Sequence, residues 1–323
     1  MYDLVIGGAG LYGATLAYHA KRNGMNVLVI ENDEIGGLCA DPDGYSRYGP
    51  HIFHTDNREQ WDFVNSIAPF KPVHYSPLVQ YKDELYSFPI NKLTLHQLGM
   101  DGHVILDPEG DNFEDACIFA VGETLYEKFF YHYTKKMWGM EPKSLPASIL
   151  KRIPVRDDYN TSYYNDRYVG VPEEGFSHFI ACLLDGVKVI KGDFVDKHID
   201  YHCRKVFTGS IDDFHYYIYG VLPYRGQRFE ACASIDAMVI NYTDHRKYTR
   251  KVNYEYLWRG ITIMETPTDN IRHYPVPWGE ALYNKYAAIP TDVEFAGRLG
   301  SYRYLNMNEV MDLAENDSHQ LQA

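Results

Sequence analysis

The chain has 323 residues with 31 basic and 44 acidic side chains, and its formal net charge of −13 argues against nucleic acid and anionic membrane as partners. Its length suggests two or three domains around a sizeable core, and its 29 tyrosines suit a site that stacks rings and binds oxygen atoms. The five cysteines (Cys39, Cys117, Cys182, Cys203 and Cys232) show no metal-site spacing, and no signal-peptide pattern or membrane-length apolar run is present, so the expectation is a reduced, cytoplasmic protein without a metal.

The first thirty-one residues, MYDLVIGGAGLYGATLAYHAKRNGMNVLVIE, read as a buried strand, a glycine turn, a helix and a second buried strand ending on an acid. Gly8, Gly10 and Gly13 follow the apolar run Leu4 to Ile6 and open the helical stretch at Leu11, the context of a dinucleotide-binding βαβ unit. The first glycine permits the turn, the second lets a pyrophosphate approach the backbone, and the third lets helix and strand pack closely. Phosphate then meets the N-terminus of the helix, and Glu31 is placed to accept from a ribose hydroxyl. The next stretch, IGGLCADPDGYSRYGPHIFHT, adds Gly36, Gly37, Gly44 and Gly49 and ends on His51 and His54. A glycine-rich excursion in this place suits an extended FAD better than NAD. Glycine and proline just before the two histidines speak against a helical metal pair.

Residues 57–68 have helical periodicity through Trp61, Val64, Asn65 and Ala68, and residues 73–89 read as a hairpin turning at Lys82 and Asp83. From 91 to 140 the patterns are helical, clearest where Phe113, Cys117, Val121, Leu125, Phe129 and Tyr133 recur every fourth residue. Residues 146–172, bracketed by prolines, predict a mobile loop. FSHFIACLLDGVKVIKGDF predicts a helix and a strand returning to the first sheet. The strings KVFTGS, RFEACASI, MVINYT and ITIMET predict an antiparallel substrate sheet over 205–265. FAGRLGSYRYLNMNEVMDLAEN closes the chain as strand, glycine turn and helix, with Asn306 or Asn308 as cap. The fold class expected is α/β, a Rossmann-like FAD-binding domain with an inserted helical domain and an antiparallel substrate sheet. The FAD-binding domain takes 1–72, 173–210 and 291–323, the helical insert 90–150, and the substrate domain 73–89, 151–172 and 211–290.

Nine strings in order, VIGGAGLYGA, YGPHIFHT, SPLVQYKDELYSFP, FFYHYTKKMWGM, LPASILKRIPVR, NDRYVGVPEEG, NYTDHRKYTR, RHYPVP and AGRLGSYRYLNM, together resemble the prokaryotic UDP-galactopyranose mutase family over nearly the whole chain. The resemblance implies an isomerase that interconverts UDP-galactopyranose and UDP-galactofuranose. It implies FAD, active as FADH−, and a covalent flavin–galactose (iminium) intermediate. Arg152 and Arg250 are then implied as the diphosphate grips, Arg152 on the loop, and guanidinium forks suit that task. Tyr163, Tyr274 and Tyr304 would donate to the phosphates. Tyr133 would stack on uracil, with Phe129 a turn earlier, Thr134 as a polar contact and Trp138 beside the sugar. For Phe129 and Tyr133 the periodicity fits helix core equally well.

Cofactor contacts implied by the resemblance are Gly8, Gly10, Leu11, Gly13, Glu31, Gly37, His51, Ile52, His54, Arg298, Asn306 and Met307. The resemblance further implies that His51 acts in a catalytic loop through its position and that Arg298 favours the anionic reduced flavin. Asn306 stands where relatives commonly carry an acid, and the insert is short, which bears on an implied homodimer. The competing readings are an amine-oxidase-like FAD oxidoreductase and a nucleotide-sugar-binding flavoprotein without turnover.

Overall fold

The computed structural model describes residues 1–106, 109–197, 201–258, 260–269 and 271–321, with the side chains of residues 151, 152, 196 and 197 outside the description. The chain divides into two compact units. The first joins Met1–Pro72, Gly170–Gly226 and Asp269–Ala323, and the second joins Val73–Val169 and Gln227–Thr268. The region anticipated as one domain over 211–290 is therefore shared, with 227–268 in the second unit and the rest in the first.

The first unit is built on a five-stranded parallel sheet. Its order is Val293–Phe295, Arg204–Phe207, Leu4–Gly7, Val27–Glu31, Lys188–Lys191. Leu4, Val5 and Ile6 are all 0% exposed, so both faces of the central strand are buried, which is why its sequence is an unbroken apolar run. The helix Leu11–Arg22 lies against Met307–Gln320 and Phe176–Leu183. Val5, Leu28, Ile30, Phe194, Phe207 and Phe214 form a further core cluster. The sheet corrects one expectation: the string KVFTGS begins within the strand Arg204–Phe207 and so joins this parallel sheet, not the substrate sheet. Alternation along a short strand shows that it is half or fully buried, but not which sheet it joins.

In the second unit the strand order is residues 227–232 of the strand Tyr224–Cys232, then Thr262–Thr268, Arg250–Asn253, Val239–Tyr242, Leu78–Tyr81 and Glu84–Ser87. The predicted hairpin is present, with Tyr81 opposite Glu84 and Lys82 at φ 56° in the turn. The sheet is not wholly antiparallel, because Leu78–Tyr81 pairs in parallel with Val239–Tyr242. Those strands are joined by a long crossover, which imposes no reversal of direction.

The four-residue repeat folds as helix Phe113–Val121, a break at Gly122 (φ 82°), a short turn, a π-helical stretch Tyr126–Tyr131 and helix His132–Trp138. A repeat of four overshoots the ~3.6-residue α turn, and the wider π turn takes up the difference. The proline-bracketed stretch, predicted as a mobile loop, begins as a 3-10 helix, Ala147–Arg152, and is then docked by backbone bonds. Arg156 N–H donates to Ile90 at 2.9 Å, Lys92 N–H to Asp158 at 2.8 Å, and Tyr163 N–H to Tyr75 at 2.8 Å.

Candidate active site

In the first unit the glycine turn walls a cavity of about 260 Å³, lined by Gly8, Gly10, Leu11, Glu31, Gly37, His51, Arg298 and Met307 among the anticipated cofactor residues. The backbone explains why these positions are glycine. A Cβ on Gly8 (φ 107°) would stand 2.2 Å from Thr208 Oγ1, and one on Gly13 would stand 2.1 Å from the Gly8 carbonyl oxygen. Gly13 therefore does not line the cavity but lets helix and strand close up behind it. Gly10 caps the helix Leu11–Arg22 without any side-chain bond, which leaves the first turn open to an anion. Glu31 Oε2 accepts from the Ala9 N–H at 2.6 Å and Oε1 from the Asp33 N–H at 2.9 Å, so its carboxylate is held at the cavity edge.

The second glycine pair docks onto the first. Gly36 N–H donates to the Ala9 carbonyl at 3.0 Å, and Gly10 and Gly36 form an isolated parallel bridge. Leu38 and Cys39 continue the same wall. Burial pushes the Cys39 thiol up to about 12, with Arg298 opposing and Asp41 reinforcing the shift. Further along, Ser46 Oγ and His51 Nδ1 are 2.8 Å apart. Ile52 is buried and His54 half-buried beside the cavity-lining His51, but neither lines the cavity.

Arg298 lies on the short helix Gly297–Gly300; its Nη2 donates to the Leu305 carbonyl at 2.6 Å and its guanidinium stands over the Tyr304 ring at 4.6 Å. Tyr304 is stacked with Tyr274, centroids 6.1 Å apart. Asn306 caps the helix Met307–Gln320; its N–H donates to Glu309 at 2.6 Å, and Met307 and Val310 of that helix line the cavity.

The second unit gathers the other anticipated residues. The helix His132–Trp138, which carries Tyr133, lies against the strand Thr262–Thr268, and Glu265 of that strand is opposite Arg250; burial pushes the Tyr133 phenol up to about 12, and the Arg250 charge pulls the other way. Arg250 Nε is held by Glu265 Oε2 at 2.5 Å, and Glu265 is 0% exposed. Burial raises the pKa of that carboxyl, and Arg250 opposes the rise. Tyr75 packs edge-on to Tyr163 at 5.7 Å and accepts from its N–H, which holds the docked loop in place. Thr134 is buried. Phe129 is 2% exposed and edge-on to Tyr86 at 5.3 Å, so it is placed as core, and Trp138 is buried at its helix end. Arg152 ends the 3-10 helix; its side chain lies outside the described residues.

Several site residues escaped the sequence reading. Thr208, Gly209 and the turn at Gly192–Val195 line the cavity from distant parts of the chain, which no local pattern announces. Lys136 Nζ donates to the carbonyls of Tyr242 (2.8 Å) and Tyr248 (3.0 Å), tying the Tyr133 helix to the segment before Arg250; burial lowers its pKa to about 8. Glu265 did leave a signal: it is an acid in phase with the buried Ile263 of the same strand.

Comparison with known proteins matches residues 128–304 to the UDP-galactopyranose mutase family and residues 6–67 to an NAD(P)-binding Rossmann-like domain. The chain is 34% identical to a dTDP-fucopyranose mutase of Escherichia coli, covering 95% of both chains. It is 32% identical to a probable UDP-galactopyranose mutase of Klebsiella pneumoniae, covering 95% of this chain and 91% of that one. A crystal structure of reduced UDP-galactopyranose mutase shares the fold at TM-score 0.74 and 13% identity, covering 100% of this chain and 96% of that one. Cyclohexylamine oxidase from Brevibacterium oxydans IH-35A shares it at TM-score 0.60 and 12% identity, with full coverage of both.

Proposed function

The chain belongs to the UDP-galactopyranose mutase family of flavin-dependent pyranose–furanose isomerases, and from that premise we propose that it interconverts UDP-galactopyranose and UDP-galactofuranose with FAD in its reduced state. The observation that supports the substrate reading is that the helix His132–Trp138, which carries Tyr133, lies against the strand Thr262–Thr268, whose Glu265 holds Arg250. A flat ring beside a guanidinium is the chemistry that a nucleoside diphosphate requires.

Gly8, Gly10 and Gly37 would hold FAD, which when bound and reduced would supply a nucleophilic ring nitrogen. The chain's own residues do the rest. Arg250, with its plane fixed by Glu265, and Arg152 grip the diphosphate as it departs and as it returns. Tyr163, Tyr274 and Tyr304 donate to its oxygens. Tyr133 carries the base, with Thr134 and Phe129 supporting it and Trp138 flanking the sugar. Arg298 favours an anionic flavin by charge, and His51, fixed through Ser46, keeps the adjoining backbone in place. Ile52 and His54 support the cofactor wall from behind His51, and Asn306 caps the helix that brings Met307 to it. A homodimer and a cytoplasmic location belong to the same proposal.

The test is incubation of dithionite-reduced protein with UDP-galactofuranose, followed by chromatography. UDP-galactopyranose should accumulate, and no conversion would refute the assignment. The Escherichia coli relative favours a second reading, in which a dTDP-linked 6-deoxy sugar is the substrate; the same assay with dTDP-fucopyranose decides by the higher kcat/KM.

A further inference from the structure

The IPVR string holds a second arginine, Arg156, four residues after Arg152 and built quite differently from a phosphate grip. It is 8% exposed, and its guanidinium turns back onto its own loop. Nε donates to the Ser162 carbonyl at 2.9 Å, Nη2 to the same oxygen at 2.6 Å and to the Tyr163 carbonyl at 3.3 Å, and Nη1 to the Asn165 side-chain oxygen. Two N–H groups converging on one carbonyl are what a planar fork offers and an ammonium does not. Burial lowers the Arg156 pKa, and Asp158 opposes that shift.

The turn between these contacts is stitched internally. Asn160 N–H donates to Asp158 Oδ1 at 2.8 Å, Ser162 N–H to Asn160 Oδ1 at 2.9 Å, and Ser162 Oγ to the Tyr164 carbonyl at 3.0 Å. Both its ends are bonded to earlier chain, Arg156 N–H to Ile90 and Tyr163 N–H to Tyr75. Ser162, Tyr163 and Asn165 are thus bonded to one buried group.

We propose that Arg156 is a positioning residue for the nucleotide-sugar site: it folds residues 156–165 around its guanidinium and so sets where the Tyr163 phenol is presented. The proposal rests on the reading that Tyr163 contacts the diphosphate. Removing Arg156 leaves the phenol in place chemically but releases its backbone, so binding weakens while the reacting atoms are untouched.

The experiment uses the flavin-loaded full chain as wild type, Arg156→Met, Asn165→Ala, Tyr163→Phe and the double variant Arg156→Met/Tyr163→Phe. Arg156→Met should raise KM for the sugar nucleotide about tenfold, the loss of one hydrogen bond to a charged group, with little change in kcat or bound flavin. Asn165→Ala, at an exposed side chain, should move KM the same way by about twofold, as expected for one weakened partner of the latch, and keeps the test open should Arg156→Met not fold. In the double variant KM should be no higher than in Arg156→Met alone, because both changes disable the same contact. Chymotrypsin should cut at Tyr159, Tyr163 or Tyr164 faster in Arg156→Met than in wild type, a readout that needs no turnover. Unchanged KM in both latch variants, KM effects that multiply in the double variant, or an unchanged cleavage rate would overturn the proposal. If wild type converts no sugar nucleotide, the functional reading fails, while the cleavage arm still decides whether Arg156 is the latch.

Discussion

Two glycines three residues apart separate binding from folding. An alanine Cβ at Gly13 would collide with the Gly8 carbonyl at 2.1 Å, whereas one at Gly10 meets nothing nearer than Gly37 Cα at 3.9 Å. Gly13→Ala should therefore give misfolded, colourless protein. Gly10→Ala should keep the thermal midpoint of the flavin-free protein yet lose flavin affinity, because the methyl stands where a pyrophosphate meets the backbone; fluorescence titration of FAD checks this. Arg250 has a double role in the same sense. Arg250→Met should abolish mutase turnover while the protein stays yellow, and it leaves Glu265 buried without its cation. Burial raises the folded-state pKa of Glu265 against the opposing Arg250 charge, so stability is lost as pH rises above the ordinary carboxyl range. Without the opposing Arg250 charge that loss steepens, so the melting temperature of Arg250→Met should fall from pH 5 to pH 8 more than that of wild type.

Among the elements, the helix Arg58–Ile67 shows how local rules operate. Asn57 accepts from the N–H groups of Glu59 (2.9 Å) and Gln60 (3.4 Å), and Asn57→Ala should cost about 1 kcal/mol in denaturant unfolding, with flavin binding unchanged. The opening βαβ unit, this helix, the hairpin at Lys82 and the terminal helix after Asn306 were all legible, because cap, turn and period are written within a few residues of each other. The π-helical stretch Tyr126–Tyr131 was not, since only the drift of a repeat of four against the helical turn hints at it. The docking of residues 156–165 was equally hidden: its partners Tyr75, Ile90 and Lys92 lie more than sixty residues earlier in the chain.

For the whole molecule, the flavin should act as a stabilising ligand. At a free concentration of ~100 Kd it adds about 2.7 kcal/mol, so deflavinated protein should melt several degrees lower and recover on addition of FAD. An isomerase must also leave its cofactor's oxidation state unchanged. Anaerobic addition of UDP-galactopyranose should therefore not bleach oxidised flavin, whereas an amine-oxidase-like enzyme on the same fold would be reduced in proportion to substrate.

The sequence by itself determined the dinucleotide cradle, because glycine spacing, the apolar strand and the acid at Glu31 act over one βαβ unit whose geometry is nearly fixed once it forms. It also carried the family resemblance, spread over strings from one end of the chain to the other. Only tertiary structure decided that KVFTGS completes the parallel sheet and that Glu265 holds Arg250. The partners of Lys136 and Arg156 were decided in the same way. Each of these depends on burial and on partners far apart in the chain. A side chain announces its own chemistry in the sequence, but which oxygen its proton meets is settled by packing.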